Sequence, residues 1–266
     1  MKKSIQFTYD DVQKSTRVND TIEDCINIAK TLFPELKSKT IVLYHDNKPI
    51  NPTKNVPSRV EIRIPIIVLD IDETLIHSVT KEDYIQNKDL LSKFPAFVMD
   101  DEDDEENPYI VVVRPKLIQF LKFLTTNFDT MIWTAASRDY AVWIIKNVFQ
   151  KFIPDFTSKL KLFLHGDHCD VSWTLYDKHK HLPTLQTEFN LKNIDNCFKG
   201  GCYILIDDSD EARNSNSGID IHYGYQIEPF ELETDQLKET DRELVKLQKH
   251  LQNIQKFMFK NLVKTD

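Results

Sequence analysis

The chain has 266 residues, 41% of them hydrophobic and 29% charged, with a net charge of −8. That is enough apolar material for a packed core and too acidic for a general nucleic-acid binder, so direct nucleic-acid contact is not expected. No apolar run reaches the roughly 18 residues a bilayer span needs, and the start, Met1-Lys2-Lys3, reads as mature protein. The five glycines, at 166, 200, 201, 218 and 224, allow neither a dinucleotide fingerprint nor a P-loop. Cys25, Cys169, Cys197 and Cys202 form no CxxC pair, which fits a reducing compartment, nuclear or cytoplasmic.

Residues 1–64 read as a unit of their own. Ile5 to Tyr9 and Ser15 to Val18 are short strands around a polar turn. Thr21 to Leu36 carries Ile22, Ile26, Ala29, Leu32 and Phe33 at helical spacing. Ile41 to Tyr44 and Val60 to Ile64 return to strand character, with Pro49, Pro52 and Pro57 between them. Two strands, a helix and further strands within 64 residues is the order of a ubiquitin-like β-grasp; an α+β extension packed on the main domain is the alternative.

Residues 65–266 alternate apolar strands with helices, which implies an α/β domain around a mostly parallel, Rossmann-like sheet. Ile66 to Leu69 runs into Asp70, Met131 to Trp133 into Thr134, and Tyr203 to Ile206 into Asp207. Continuous apolar strands are buried on both faces, and open parallel sheets bind ligands beyond their carboxyl ends. Asp70, Thr134 and Asp207 are therefore expected along one sheet edge. Helices are predicted over Lys116 to Phe123 and Arg138 to Phe149. A Thr240-Asp241-Arg242-Glu243 capping box is expected to open a final helix with Leu244, Leu247, Leu251, Ile254 and Phe257 on its apolar stripe. The acidic block at 100–106 reads as a solvated loop, and little besides it is expected between Thr74 and Arg114.

Asp70-Ile71-Asp72-Glu73-Thr74 carries the chemistry. Two carboxylates two residues apart behind a buried strand are costly to hold unless a cation binds them, and Mg²⁺ takes such hard oxygen ligands. Asp207-Asp208 would complete the set. His165, His168, Cys169, His179, His181, Cys197 and Cys202 are spaced too irregularly for a structural zinc site and are read as structural.

Three stretches together resemble the FCP-homology branch of phosphatases in the haloacid-dehalogenase superfamily: Asp70 to Ser78, then Arg114-Pro115 through Ile132-Trp133-Thr134-Ala135-Ala136-Ser137, and Ile206-Asp207-Asp208-Ser209. The resemblance implies a haloacid-dehalogenase fold and a Mg²⁺-dependent protein serine/threonine phosphatase. It implies Asp70 as nucleophile and Asp72 as proton donor and base. Thr134 and a lysine would hold the phosphoryl group, and Asp70, Asp72 (through its carbonyl), Asp207 and Asp208 the metal. The branch shows a Lys-Asp-Leu stretch before its last strand; Lys180-His181-Leu182 matches it with histidine for aspartate, and Lys180 is preferred over Lys178. With residues 1–64 added, the chain is similar to ubiquitin-like-domain-containing phosphatases of the RNA polymerase II C-terminal-domain (CTD) type. That implies a phosphoprotein substrate and a docking partner such as the proteasome. A catalytically silent FCP-homology scaffold is the alternative; the intact aspartates argue against it. A small-molecule phosphatase of the superfamily is a further rival, against which stands the short Thr74–Arg114 gap.

Overall fold

The computed structural model describes residues 2–46, 48–99, 108–188, 203–216, 222–232 and 240–254. The acidic block at 100–106, Cys197, Cys202 and Phe257 lie outside the described residues.

The N-terminal unit is a five-stranded sheet in the order β2-β1-β5-β3-β4, with β1 (Lys3–Tyr9), β2 (Val12–Val18), β3 (Val42–His45), β4 (Lys48–Pro49) and β5 (Arg59–Arg63). β1 and β5 run parallel while β1–β2 and β3–β5 are antiparallel. The helix Ile22–Leu32 starts as expected, Thr21 accepting the Asp24 N–H at 3.2 Å. It stops four residues short of the expected Leu36 because Pro34 removes a donor and forces Phe33 out of the helical region, leaving a 3₁₀ turn, Pro34–Leu36. Alternation along the strands divides the sheet into two faces. Leu43, Val60 and Ile62 pack with Cys25 and Ala29 of the helix, whereas Val42 and Tyr44 turn the other way and join the core of the main unit.

The main sheet is fully parallel, ordered β11-β10-β6-β12-β13: β6 (Ile66–Leu69), β10 (Asp129–Trp133), β11 (Leu160–Leu164), β12 (Tyr203–Asp207) and β13 (His222–Gln226). Every residue of β6, β10 and β12 is buried, as predicted for the apolar runs Ile66–Leu69, Met131–Trp133 and Tyr203–Ile206; Asp129, Thr130 and Asp207 are buried polar residues at the strand ends. One face is covered by the helices Leu117–Asn127, Arg138–Ile144 and Glu243–Gln252, whose Leu121, Ile144, Leu244, Leu247 and Leu251 share one core with Ile67, Ile132 and Ile204. The other face packs Val68, Met131 and Leu205 against Cys169, Leu182 and Leu185. The helix expected to run from Arg138 to Phe149 is α-helical only to Ile144 and widens into a π-helical turn, Ile145–Phe149.

Two expectations are corrected. The Thr74–Arg114 gap holds more than a loop: β7 (Ile76–Thr80), β8 (Ala96–Met99) and β9 (Tyr109–Val113) form an antiparallel sheet ordered β7-β9-β8, with two short helices. Val79, Leu91, Phe94, Ile110 and Val112 give it a small core. These strands span four or five residues each, too few for a periodic signal. The capping box does not form either. Arg242 occupies the N-cap with no side-chain bond, and the Glu243 N–H is taken by Asp241 at 2.8 Å, because Asp241 is turned inward onto Arg114.

The two units are joined by more than the chain. The Thr40 N–H donates to the Asn127 carbonyl at 2.7 Å, and Lys39 Nζ reaches the Phe128 carbonyl at 2.9 Å and Asp129 at 3.1 Å. The Arg63 guanidinium lies 4.2 Å from the Tyr44 ring centre. Tyr44→Ala is expected to lower stability by about 3 kcal/mol, the cost of emptying a fully buried aromatic site. Urea unfolding measures it, and a loss under about 1 kcal/mol would show that Tyr44 does not tie the units together.

Candidate active site

The site lies at the carboxyl ends of the three central strands. Asp70 follows β6, its N–H bonded to the Ile206 carbonyl at 2.9 Å; Thr134 follows β10; Asp207 closes β12. Adjacent parallel strands in register bring the three to one edge, where Asp70, Thr134 and Asp207 are 6%, 1% and 3% exposed. Ligand atoms of Asp70, Asp207 and Asp208 all fall within 4.8 Å of one another, the one such acidic or His/Cys group among the described residues. The Asp72 carbonyl, the fourth expected ligand, accepts the Thr74 N–H at 2.5 Å. A carbonyl oxygen keeps a second lone pair. Thr74 Oγ1 in turn donates to Asp208 at 3.0 Å, and the Ser209 N–H to Asp207 at 2.9 Å.

Lys180 is where the sequence left a choice. Its Nζ sits between Asp70 Oδ1 at 2.6 Å and Asp207 Oδ2 at 2.7 Å, with the side chain buried. Lys178 instead contributes a carbonyl, which accepts the Ser172 hydroxyl at 2.7 Å. Ser172 Oγ also accepts the His181 N–H at 2.9 Å. Asn216 takes the Leu182 N–H at 2.8 Å and returns a bond to the Lys180 carbonyl at 3.0 Å. These clamps hold Lys180 at φ 45, a left-handed conformation an unbranched residue adopts only under constraint. The His181 ring packs 5.1 Å from that of Tyr176.

The electrostatics follow from burial. Burial pushes the Asp70 carboxyl well above its ordinary range; Lys180 opposes this, while Asp207 and Asp72 add to it. Burial works against the Lys180 charge too, but Asp70 and Asp207 outweigh it and hold the ammonium above its usual range. Burial lifts Asp72 to about 6 against the Tyr140 hydrogen bond, and burial with Asp207 lifts Asp208 to about 6. Three acids supply hard oxygen donors here and only two of them, Asp70 and Asp207, pair with Lys180; that donor set fits a divalent cation.

The sequence reading missed Tyr140 and gave Arg114 no role. Tyr140, on the first turn of Arg138–Ile144, donates from its hydroxyl to Asp72 Oδ1 at 2.5 Å and meets Ser78 Oγ at 2.6 Å. Thr134 Oγ1 stands 3.5 Å from Asp72 Oδ2. Arg114, flagged only as part of a motif, is 1% exposed and organises the turn after Asp72. It donates to the Glu73 and Thr74 carbonyls at 3.3 and 3.0 Å, to the Glu228 carbonyl at 2.8 Å and to Asp241 at 2.6 Å. Glu73 itself is at φ 53, its carbonyl also taking the Phe230 N–H at 2.7 Å. Gly166 is required by space: a Cβ there would meet the Ala135 carbonyl oxygen at 2.9 Å, beside Thr134.

Buried strand-end acids, a bridging lysine and a threonine meet at one edge of a parallel sheet, a donor set suited to phosphate chemistry. Residues 65–262 match the model of NLI interacting factor-like phosphatases, and the chain belongs to that family. It is a phosphoprotein phosphatase. Among curated relatives it is 33% identical over 182 residues to the CTD phosphatase-like protein 355R of Invertebrate iridescent virus 6, covering 68% of this chain and 93% of that protein. The namesake in Invertebrate iridescent virus 3 is 31% identical over 196 residues, covering 70% and 95%. The solved structure of Fcp1, an essential RNA polymerase II CTD phosphatase, aligns with a TM-score of 0.42 and 18% identity. The alignment covers 74% of this chain and 52% of that one, so the chain spans about half the length of that structure.

Proposed function

We propose that the chain is a Mg²⁺-dependent protein serine/threonine phosphatase working through an aspartyl-phosphate on Asp70. The observation that carries this reading is the buried Asp70–Lys180–Asp207 arrangement with Asp208 alongside. The ionised Asp70 carboxylate attacks phosphorus, and the bond to the serine or threonine oxygen breaks. Asp72 gives its proton to that oxygen, then takes one from the water that opens the aspartyl-phosphate. Lys180 Nζ and Thr134 Oγ1 face the phosphoryl oxygens. A magnesium ion held by Asp70, Asp207, Asp208 and the Asp72 carbonyl would supply the positive charge that lets a carboxylate approach a phosphate dianion.

A CTD-type phosphopeptide is the first substrate to try, on the strength of the names of the viral relatives. We read residues 1–64 as a ubiquitin-like β-grasp domain and 65–266 as the phosphatase domain. The support is the strand order β2-β1-β5-β3-β4 with its helix between β2 and β3. Such a domain docks on a receptor, the proteasome being one; the face bearing Val42 and Tyr44 is already covered, so a receptor would meet another surface or displace the phosphatase. Buried, unpaired Cys25 and Cys169 favour a nuclear or cytoplasmic setting.

The test is phosphate release from a serine-phosphorylated CTD peptide and an aryl phosphate, with Mg²⁺ and with EDTA, for wild type and Asp70→Asn. Turnover is expected only with Mg²⁺ and only in the wild type, the variant losing at least about 10³-fold. Turnover in EDTA, or from Asp70→Asn, would overturn the reading.

A further inference from the structure

Asp72 has two oxygens, and they meet different surroundings. Oδ1 receives the Tyr140 hydroxyl at 2.5 Å, while among the described residues Oδ2 meets the longer Thr134 contact at 3.5 Å. A phenol has one proton. With it directed at Asp72, the 2.6 Å contact between Tyr140 and Ser78 is donated by the serine. The three groups thus form an ordered chain, Ser78 to Tyr140 to Asp72, running from β7 of the insertion sheet into the site. Tyr140 is held at both ends: by Ser78 at its hydroxyl, and at its backbone by the Ser137 side chain, which accepts the Tyr140 N–H at 3.4 Å and caps the helix.

We infer that Tyr140 is a positioning residue for proton transfer: its hydroxyl occupies Asp72 Oδ1, so that the transferable proton resides on Oδ2 and is aimed at the leaving oxygen. The inference rests on the reading of Asp72 as proton donor. In the step, the Asp70 oxygen–phosphorus bond forms and the phosphorus–serine oxygen bond breaks. The proton passes from Asp72 Oδ2 to the serine oxygen, leaving Asp72 ionised, and Tyr140 keeps its own proton throughout. Its donated bond then stabilises the new carboxylate. Without Tyr140 the proton distributes over both oxygens and the carboxyl rotates freely. That costs most where the leaving group needs a proton.

The leaving group therefore supplies the test. A serine alkoxide requires protonation, whereas p-nitrophenolate departs without it. Measured as kcat/KM, which reports steps through cleavage of the ester, Tyr140→Phe is expected to lose about 10- to 100-fold on a phosphoserine peptide and under about threefold on p-nitrophenyl phosphate. Ser78→Ala should show the same bias at smaller size. Adding Tyr140→Phe to Asp72→Asn should cost nothing further on the peptide, because the tyrosine acts through that carboxyl. Equal losses on both substrates would reduce Tyr140 to a packing residue, and a further loss in the double variant would mean a direct contact with substrate; either overturns the inference. An Asp72→Asn variant that falls equally on both substrates would instead remove the proton-donor reading itself, leaving Asp70 and the metal site untouched.

Discussion

Arg114→Met is expected to cost about 3–5 kcal/mol of stability, because it leaves the Asp241 carboxylate buried without its partner. At about 2–4 °C per kcal/mol for a chain of this size, the melting temperature should fall by roughly 10 °C. Activity should drop with it. One guanidinium satisfies the Glu73 and Thr74 carbonyls of the turn after Asp72, the Glu228 carbonyl and the Asp241 that starts the final helix. Arg114→Lys should recover little, since a single ammonium cannot reproduce a planar fork over four acceptors. Arg114→Met combined with Asp241→Asn should be more stable than Arg114→Met alone, because the stranded charge is gone. Thermal unfolding of the four proteins decides the matter. A single variant within about 1 kcal/mol of wild type would show that the clasp is not holding the turn.

Lys180→Met is expected to lower turnover by about 10²–10³-fold, the scale of removing a preorganised charge from a dry site. Its stability cost should depend on pH in a defined direction. Removing the ammonium takes away what opposes the upward shift of Asp70, so that carboxyl binds its proton still more tightly in the folded state than in the unfolded chain. An acid whose folded pKa is raised makes the folded state bind more protons, and stability then falls as pH rises from about 4 upward. In EDTA the variant should lie nearest the wild type at pH 5 and about 2–3 kcal/mol below it at pH 7.5. The wild type carries the same trend through Asp70 itself, where Lys180 opposes it, and through Asp72 and Asp208, both lifted to about 6. Urea unfolding at the two pH values measures the gap. An equal gap at both would mean that Lys180 acts by packing rather than by charge.

The strongest signals in the sequence were local ones. Three unbroken apolar runs, each ending in Asp70, Thr134 or Asp207, were enough to mark buried parallel strands and place those residues at one edge, because burial on both faces leaves no polar alternation; the strand order came from the structure. The Leu244, Leu247 and Leu251 stripe marked a docked helix for the same reason, helical spacing putting one face toward the core. Where a signal was short or depended on a distant partner, reading failed. The insertion sheet has strands of four and five residues. The capping box looked complete at Thr240–Glu243, yet Asp241 is claimed by Arg114, 127 residues away in sequence.

The amino-acid sequence by itself determined the family, the parallel sheet and the acids at its edge, since these rest on hydrophobic pattern and on a motif whose residues are chain neighbours. The tertiary structure alone shows which lysine reaches the acids: Ser172 and Asn216 pin the loop so that Lys180, rather than Lys178, lies between Asp70 and Asp207. It alone brought Tyr140 to Asp72, and it alone folded Val42 and Tyr44 of the first unit onto the core of the second. The physical reason is common to all three. A side chain's face is fixed by the period of its own element, but its partner is fixed by where separate elements pack, and that is settled only when the whole chain is assembled.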